Sequence, residues 1–471
     1  MSAIPVEPGQ SIDGFRVVSL LHRGGMATLW RVERAGAAFP LVMKVPHLAQ
    51  GDDPVTVVSY EVEQTMLRAL RGPHVPQLVA VGDLQRLPYL VMEFIDGATL
   101  QSLVGKAPLA VDDIVRWAAP VADALDDLHR QQLAHLDVKP SNIVFRASGS
   151  AVLIDLGLAH HGHYPDLLAE EFRKPIGSAP YMAPEQVVGM RSDPRSDIFA
   201  LGAILYQLAT GHLPFGSPTS VGGLRQRLHR YPKAPRALRP DLPPWLQELI
   251  LHCLEVDASR RPSAWQVANW LRAPHGVALT VRGTRTRDPG PLVRVRRWLW
   301  AAGFEPAAPS PETLQSGAAA MVLVPVSVRH GEPALQDALR AAVAKIAAAD
   351  YALRIVVATV IPPSPLLGSS GGESGGAAHL RHLVELKEWA AGLQLAETRI
   401  TCHVLEAHDP AQALVDFAHH NPVRQIAIGA PPLDGNPKLG IPLKPVVEAV
   451  ASRVALLAPC SVLLVRPGPA P

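Results

Sequence analysis

Cysteine is scarce in this chain: Cys253, Cys402 and Cys460 are the only three in 471 residues, and they lie far apart. That spacing builds neither a disulfide framework nor a zinc site, and it suits a reducing compartment, so a cytoplasmic location is expected. Net charge is nearly absent too. A formal +2 gives no global attraction for nucleic acid, and none is expected as a partner. No apolar run reaches the ~18 residues needed to cross a bilayer, and Met1 to Gln10 lacks the basic-then-apolar order of a signal peptide. No stable membrane anchor is therefore expected. With 48% apolar and 18% charged residues, most of the chain should pack, and its length corresponds to roughly three domains. The 46 prolines suggest rigid connections between packed units.

The first half carries ordered chemistry. Phe15 to Arg34 reads as two strands around the turn Leu21-His-Arg-Gly-Gly-Met-Ala27, where backbone N–H groups could approach phosphates unobstructed. Leu41-Val-Met-Lys44 sets a lysine on an apolar strand. Val57 to Leu70 has helical spacing, with Val58, Val62, Met66 and Leu70 on one stripe. Glu61 and Glu63 on that helix are two residues apart and so face different ways. Tyr89 to Gly97 is a further strand with its exit. Asp112 to Arg130 is a long amphipathic helix whose Ile114, Trp117, Val121, Leu125 and Leu128 face a core. Then comes Leu133 to Ala159: Asp137, Lys139 and Asn142 at short intervals, an apolar run Ala151–Ile154, and Asp155-Leu156-Gly157.

An Asp-x-Lys-x-x-Asn followed thirteen residues later by Asp-Leu-Gly resembles the catalytic and metal-binding loops of protein kinases. Gly177-Ser-Ala-Pro-Tyr-Met-Ala-Pro-Glu185, Asp197 to Gly202, Gly211 to Phe215 and Asp257 to Pro262 extend the resemblance over residues 11–275. It implies a bilobal α+β fold and a Ser/Thr protein kinase that moves the γ-phosphoryl group of ATP, with Mg²⁺, to hydroxyls of protein substrates. By resemblance, Asp137 is the catalytic carboxylate, Lys139 reaches the γ-phosphate, and Asn142 and Asp155 bind Mg²⁺. Gly24, Gly25 and Ala27 would lie over the phosphates. Lys44 would hold the α- and β-phosphates, paired with Glu63 in preference to Glu61. Val42 would face adenine, Met92 would guard the back pocket, and the backbone from Glu93 to Ile95 would bond adenine. His135, Glu185 with Arg261, and Asp197 would be structural supports. The runner-up is a pseudokinase scaffold with weak nucleotide binding.

Two departures agree with each other. Leu136 stands where the family places an arginine that binds a phosphate on the activation loop, and residues 158–180 contain no threonine. Their only hydroxyls are Tyr164 and Ser178, so the loop should not be switched by phosphorylation in the usual way. His22 replaces the first glycine of the turn. His160, His161 and His163 read as a solvated loop.

Residues 276–318 form a Pro-rich basic linker with Arg282, Arg285, Arg287, Arg294, Arg296, Arg297, Trp298 and Trp300, expected to pack on a neighbouring domain. Residues 319–467 alternate strands (Met321–Val326, Arg354–Val360, Ile400–Leu405, Gln425–Gly429, Ser461–Val465) with helices (Pro333–Ala349, Leu380–Gly392, Pro410–His420, Val446–Ala458), which implies a parallel α/β sheet. Val322 to Val326, Asp409-Pro410, Ile426 to Gly429 and Ala458 to Val465 resemble a universal stress protein domain, which is Rossmann-like. ATP-binding members use an acidic residue after the first strand and a glycine-rich loop after the fourth. Here Ser327, Pro432 and Glu448-Ala449 stand at those places, and a carboxylate facing a triphosphate is repulsive. This domain is therefore expected to bind no ATP, and to act as a regulatory or homodimerising module.

Overall fold

The computed structural model describes residues 6–47, 54–168, 175–286, 295, 299, 320–327, 332–363, 375–430 and 445–467. Short alternating strands at the N-terminus form one antiparallel sheet from β1 (Ser11–Ile12), β2 (Phe15–Arg23), β3 (Ala27–Glu33), β4 (Leu41–Pro46), β5 (Leu78–Val81) and β6 (Leu90–Glu93). Its order is β1-β2-β3-β4-β6-β5. Helix α1 (Pro54–Ala69) buries the stripe Val58, Val62 and Met66 seen in the sequence.

The second lobe is helical: α2 (Gln101–Val104), α3 (Val111–Arg130), α4 (Pro184–Val187), α5 (Arg195–Thr210), α6 (Val221–His229), α7 (Pro235–Leu238), α8 (Pro244–Cys253), α9 (Ala264–Arg272) and α10 (Val281–Thr284). Helix α5 is apolar almost all round because it runs through the middle of this lobe; Ile198, Phe199, Leu201, Ile204 and Leu205 are completely buried. Two small antiparallel pairs shape the cleft between the lobes. β8 (Ile143–Phe145) pairs with β9 (Ala151–Leu153), and β7 (Leu133–Ala134) with β10 (His160–His161).

The C-terminal unit alternates β11 (Met321–Pro325), α11 (Pro333–Ala349), β12 (Arg354–Ile361), α12 (Gly375–Ala391), β13 (Ile400–Glu406), α13 (Pro410–His420), β14 (Val423–Gly429), α14 (Pro445–Leu457) and β15 (Ser461–Val465). All five strands are parallel, in the order β13-β12-β11-β14-β15. Alternate residues of the central strands feed two cores. Val322, Val324, Ile355 and Val357 point to one face, and Met321, Leu323, Val356 and Ala358 to the other. Helix α12 begins at Gly375, ahead of the Leu380 start expected from the sequence. Its first-turn N–H groups lack helical partners whatever residues stand there, so glycine is tolerated.

The start of the basic linker is seated on α8. Glu248 accepts from the amides of Thr280 (3.0 Å) and Gly283 (2.7 Å) and from Arg282 Nε (3.0 Å), while Gln247 Nε2 donates to the Arg282 carbonyl (2.6 Å). Arg287, Arg294, Arg296, Arg297, Trp298, Trp300, Pro432 and the Glu448 side chain lie outside the described residues. No helix among the described residues is long and apolar enough to cross a membrane.

Candidate active site

The turn between β7 and β8 is fixed from below. Asp197, at the start of α5, accepts from the amides of His135 (2.9 Å) and Leu136 (2.8 Å) and from His129 Nε2 (2.9 Å). His135 Nε2 donates to the Ile154 carbonyl (3.2 Å), and its Nδ1 accepts from the Asp137 amide (3.4 Å). These partners select the Nε2–H form of the ring. Leu136 has φ of +62°, a left-handed conformation costly for a branched side chain, and Gln186 Nε2 holds its carbonyl (2.8 Å). The turn thereby presents the Asp137 carboxylate. Its Oδ2 accepts from Lys139 Nζ (2.7 Å) and Asn142 Nδ2 (3.2 Å), and its Oδ1 from the Ser178 amide (2.9 Å).

Lys44 lies between two carboxylates, with Nζ 2.6 Å from Glu63 Oε2 and 2.9 Å from Asp155 Oδ1. Burial alone would drive the Lys44 pKa down, but Asp155 and Glu63 outweigh it and raise it. The Lys44 ammonium, against the opposing effect of burial, holds Asp155 down at about 2. Glu63 is shifted upward, because burial exceeds the pull of Lys44. Asp155 also has positive φ, +64°, which aims a carboxylate that is 44% exposed into the cleft. Asn142 spends its Nδ2 on Asp137 O (3.1 Å) and Oδ2. Its Oδ1 and the Asp155 oxygens form a hard donor set that fits Mg²⁺. Among the described residues no three His, Cys, Asp or Glu gather into a self-sufficient metal site.

Opposite this floor, the glycine turn is closed by Gly24 N–H donating to Ala27 O (3.0 Å). Gly25 O lies 3.0 Å from His47 Nδ1, whose Nε2 is 2.8 Å from Thr28 Oγ1. Val42 and Met92 sit opposite each other on β4 and β6, both buried. Beyond them the Glu93 and Phe94 amides are spent on Gln77 O (2.9 Å) and Pro40 O (2.8 Å), and the Glu93 carboxylate is clamped by Arg146. Ile95, the next residue along, is 9% exposed. Glu185 and Arg261 form a buried two-pronged pair at 2.6 and 2.8 Å, and Ser196 Oγ donates to Glu185 Oε1 (2.6 Å).

The histidine stretch differs from its sequence reading. His160 and His161 pair with Leu133 and Ala134 as β10, and His161 is 6% exposed, edge-on to Tyr164 at 5.1 Å. A two-residue pairing with a distant strand leaves no local pattern to read. Burial, with His163 nearby, pushes the His161 pKa down to about 3. Three further groups carry no sequence signal. Asp166 accepts from Arg191 Nε at 3.0 and 3.2 Å, and Arg191 also donates to Leu158 O (2.8 Å). Arg227, fully buried, donates to Ala179 O (2.7 Å) and Met182 O, and burial lowers its pKa to about 10. In sequence it is one more helix arginine, which reads as solvated. His47 likewise reads as an ordinary loop residue.

The family model described as "Protein kinase domain" matches residues 15–271, and that of the "Universal stress protein family" matches 321–466. The chain is 29% identical over 464 residues to "Serine/threonine-protein kinase Pkn1" of Myxococcus xanthus, covering 93% of this chain and 65% of that protein. It is 29% identical over 251 residues to "Probable serine/threonine-protein kinase PknB" of Lactococcus lactis, 53% of this chain and 40% of that one. For "Serine/threonine-protein kinase PknL" of Mycobacterium tuberculosis the identity is 30% over 247 residues, 52% and 61% respectively. The chain thus spans between 40% and 65% of the length of these three relatives.

Proposed function

The chain belongs to the protein kinase family and carries a universal stress protein domain behind the kinase domain, and from this we propose that it is a working serine/threonine kinase whose C-terminal domain regulates it. One observation carries the reading. Lys44, Glu63 and Asp155 are already joined, and Asp137, Lys139 and Asn142 already share one hydrogen-bonded cluster across the same cleft. Each of these groups has the chemistry its part of phosphoryl transfer needs. Bound ATP with Mg²⁺ would supply the phosphoryl group and neutralise its charge. Lys44 would orient the α- and β-phosphates, with Glu63 holding the ammonium in place. Asn142 and Asp155 would hold the cation. Asp137 would align the acceptor hydroxyl of a Ser or Thr in a protein substrate and accept its proton at a carboxylate oxygen. Lys139 would neutralise the γ-phosphate. Gly24, Gly25 and Ala27 would cover the phosphates, with Val42, Met92 and the backbone from Glu93 to Ile95 around adenine. His135, Asp197, Glu185 and Arg261 hold this frame.

The activation segment supports control without phosphorylation. Tyr164 is 4% exposed, and Ser178 stands against Asp137, its amide donating to Oδ1 (2.9 Å). We take 11–275 and 319–467 as the functional units and the cytoplasm as their location. The C-terminal unit is read as binding no ATP and as pairing with a second copy through its α14–β15 edge, where Leu456 (83%) and Leu464 (41%) are exposed.

The test is phosphotransfer by the intact chain to a generic protein acceptor, with Asp137→Asn as control. Incorporation should fall by orders of magnitude in the variant. Equal signals from both would end the catalytic reading and leave a scaffold.

A further inference from the structure

Glu61 faces away from Lys44, as its two-residue offset from Glu63 requires, yet it is only 8% exposed. What covers it is the C-terminal domain. Lys387, on α12, places Nζ 2.8 Å from Glu61 Oε1 and 2.7 Å from Oε2. Helix α1 is therefore held by a lysine on each side, Lys44 from the catalytic cleft and Lys387 from the neighbouring domain. Farther along α1, Arg68 pairs with Glu397, which follows α12 in the chain. On the loop between β5 and β6, Gln85 Nε2 donates to Glu388 (2.7 Å). The apolar core is continuous across this contact, one cluster holding Val58, Val62 and Met66 together with Leu383, Leu386 and Trp389.

The same domain reaches the activation segment by a second route. Asn421, buried after α13, accepts from the Asp166 amide at 3.0 Å, and the Arg354 guanidinium lies 3.9 Å from the centre of the Tyr164 ring. Its contacts thus fall on the two elements whose positions set the site: the helix that brings Glu63 to Lys44, and the segment that runs from Asp155 to Ser178.

Resting on the kinase reading above, we propose that the C-terminal domain is a built-in activator, and that Lys387 of α12 on Glu61, with Glu397 just beyond α12 on Arg68, holds α1 where Glu63 meets Lys44. The sign follows from the geometry. With the domain seated, the Lys44–Glu63 distance is 2.6 Å and the Asp137 cluster is complete, whereas an inhibitory clamp would hold these groups apart. Releasing the domain lets α1 swing out, and Lys44 loses its inner partner. A signal that loosens this seat would lower activity without touching any nucleotide-binding residue.

The experiment uses the full chain as wild type, Lys387→Glu, Glu61→Lys and the double charge swap. Steady-state phosphotransfer is measured beside hydrogen exchange of residues 54–69 and thermal unfolding. Each single variant should lower kcat by about tenfold, within the usual range for coupling between sites. Exchange in 54–69 should rise, and the double swap should recover most of both effects while the unfolding temperature changes little. Wild-type kcat and wild-type exchange in Lys387→Glu would overturn the proposal, and a raised kcat would reverse its sign. A silent wild type would refute the kinase reading instead. In that case exchange in 54–69 still decides whether the clamp exists.

Discussion

Substituting Asp166→Asn tests whether a fixed carboxylate does the work of a loop phosphate. Asp166 and Arg191 are nearly buried, with side chains 13% and 10% exposed, and the carboxylate also accepts the Leu168 amide at 3.1 Å. Asparagine keeps the shape and one acceptor oxygen but leaves Arg191 without a counter-charge. Removing one partner of a buried pair costs about 3–5 kcal/mol. Arg191 retains its bond to the Leu158 carbonyl, so a loss of roughly 2–3 kcal/mol is expected. At about 1.4 kcal/mol per decade, the balance between anchored and released segment moves by roughly 30- to 150-fold. The pH dependence has the same origin. Burial would raise the Asp166 pKa, but Arg191 overrides it and the pKa is depressed. The pair therefore stabilises the fold above the unfolded carboxylate pKa and is lost as pH falls through the depressed one. The variant imposes the acid condition at neutral pH. The assay is steady-state phosphotransfer at saturating ATP, run beside limited proteolysis within residues 158–180. kcat should drop at least tenfold and cleavage should accelerate; wild-type values of both would refute the anchor.

Other expectations follow from the same geometry. Phosphatase treatment of the wild type should leave kcat unchanged, because the segment has only two hydroxyls, Tyr164 is buried, and Ser178 stands against Asp137 through its own amide; a large fall would restore the phosphate switch. Arg261→Met strands Glu185, whose side chain is 4% exposed, and should cost about 3–5 kcal/mol in a denaturant titration. The double variant with Glu185→Leu should lose less than the sum of the singles; simple additivity would argue against direct coupling. His161 stays neutral in the fold down to about pH 3, while its unfolded form takes up a proton below about 6.5. Stability should therefore decline as pH falls from 6.5 toward 3, by about 1.4 kcal/mol per pH unit from this residue. His161→Phe should flatten that slope in thermal unfolding, and an unchanged slope would exclude His161 as its source.

Much of the fold was legible because its signals are local. Helices α11 and α13 start and stop at the residues expected, each opened by a proline at its first turn. The preference for Glu63 over Glu61 rested on the resemblance to kinases, and in the structure Glu63 lies 2.6 Å from Lys44. What stayed hidden depends on distant partners. Spacing said that Glu61 faces elsewhere but not that Lys387, more than three hundred residues on, would meet it. Asp166, Arg191 and Arg227 sit in stretches where a lone charge reads as solvated, and only packing shows Arg227 buried and the other two nearly so. The His160–His161 pairing with β7 is likewise a contact between segments, not a pattern within one.

On the proposed control without phosphorylation, Leu136 and Asp166 belong together. An arginine after His135 would offer a cation to a phosphate that can be added and removed. Here that position holds a leucine 4% exposed, and the cation comes from Arg191 to a carboxylate written into the chain. A phosphate brings up to two charges and is reversible, whereas a carboxylate brings one and is permanent. A segment anchored in this way would be fixed without a switch, and control would then act through something that can still be released. Among the described residues, the α12 face on α1 and the Asn421 and Arg354 contacts on residues 164–166 have that character: they join separate domains, are partly exposed, and touch both α1 and the activation segment. Under the proposed regulation, the leucine in the catalytic loop and a domain seated on α1 would have the same consequence, which is to move control from covalent modification of the loop to the contact between domains.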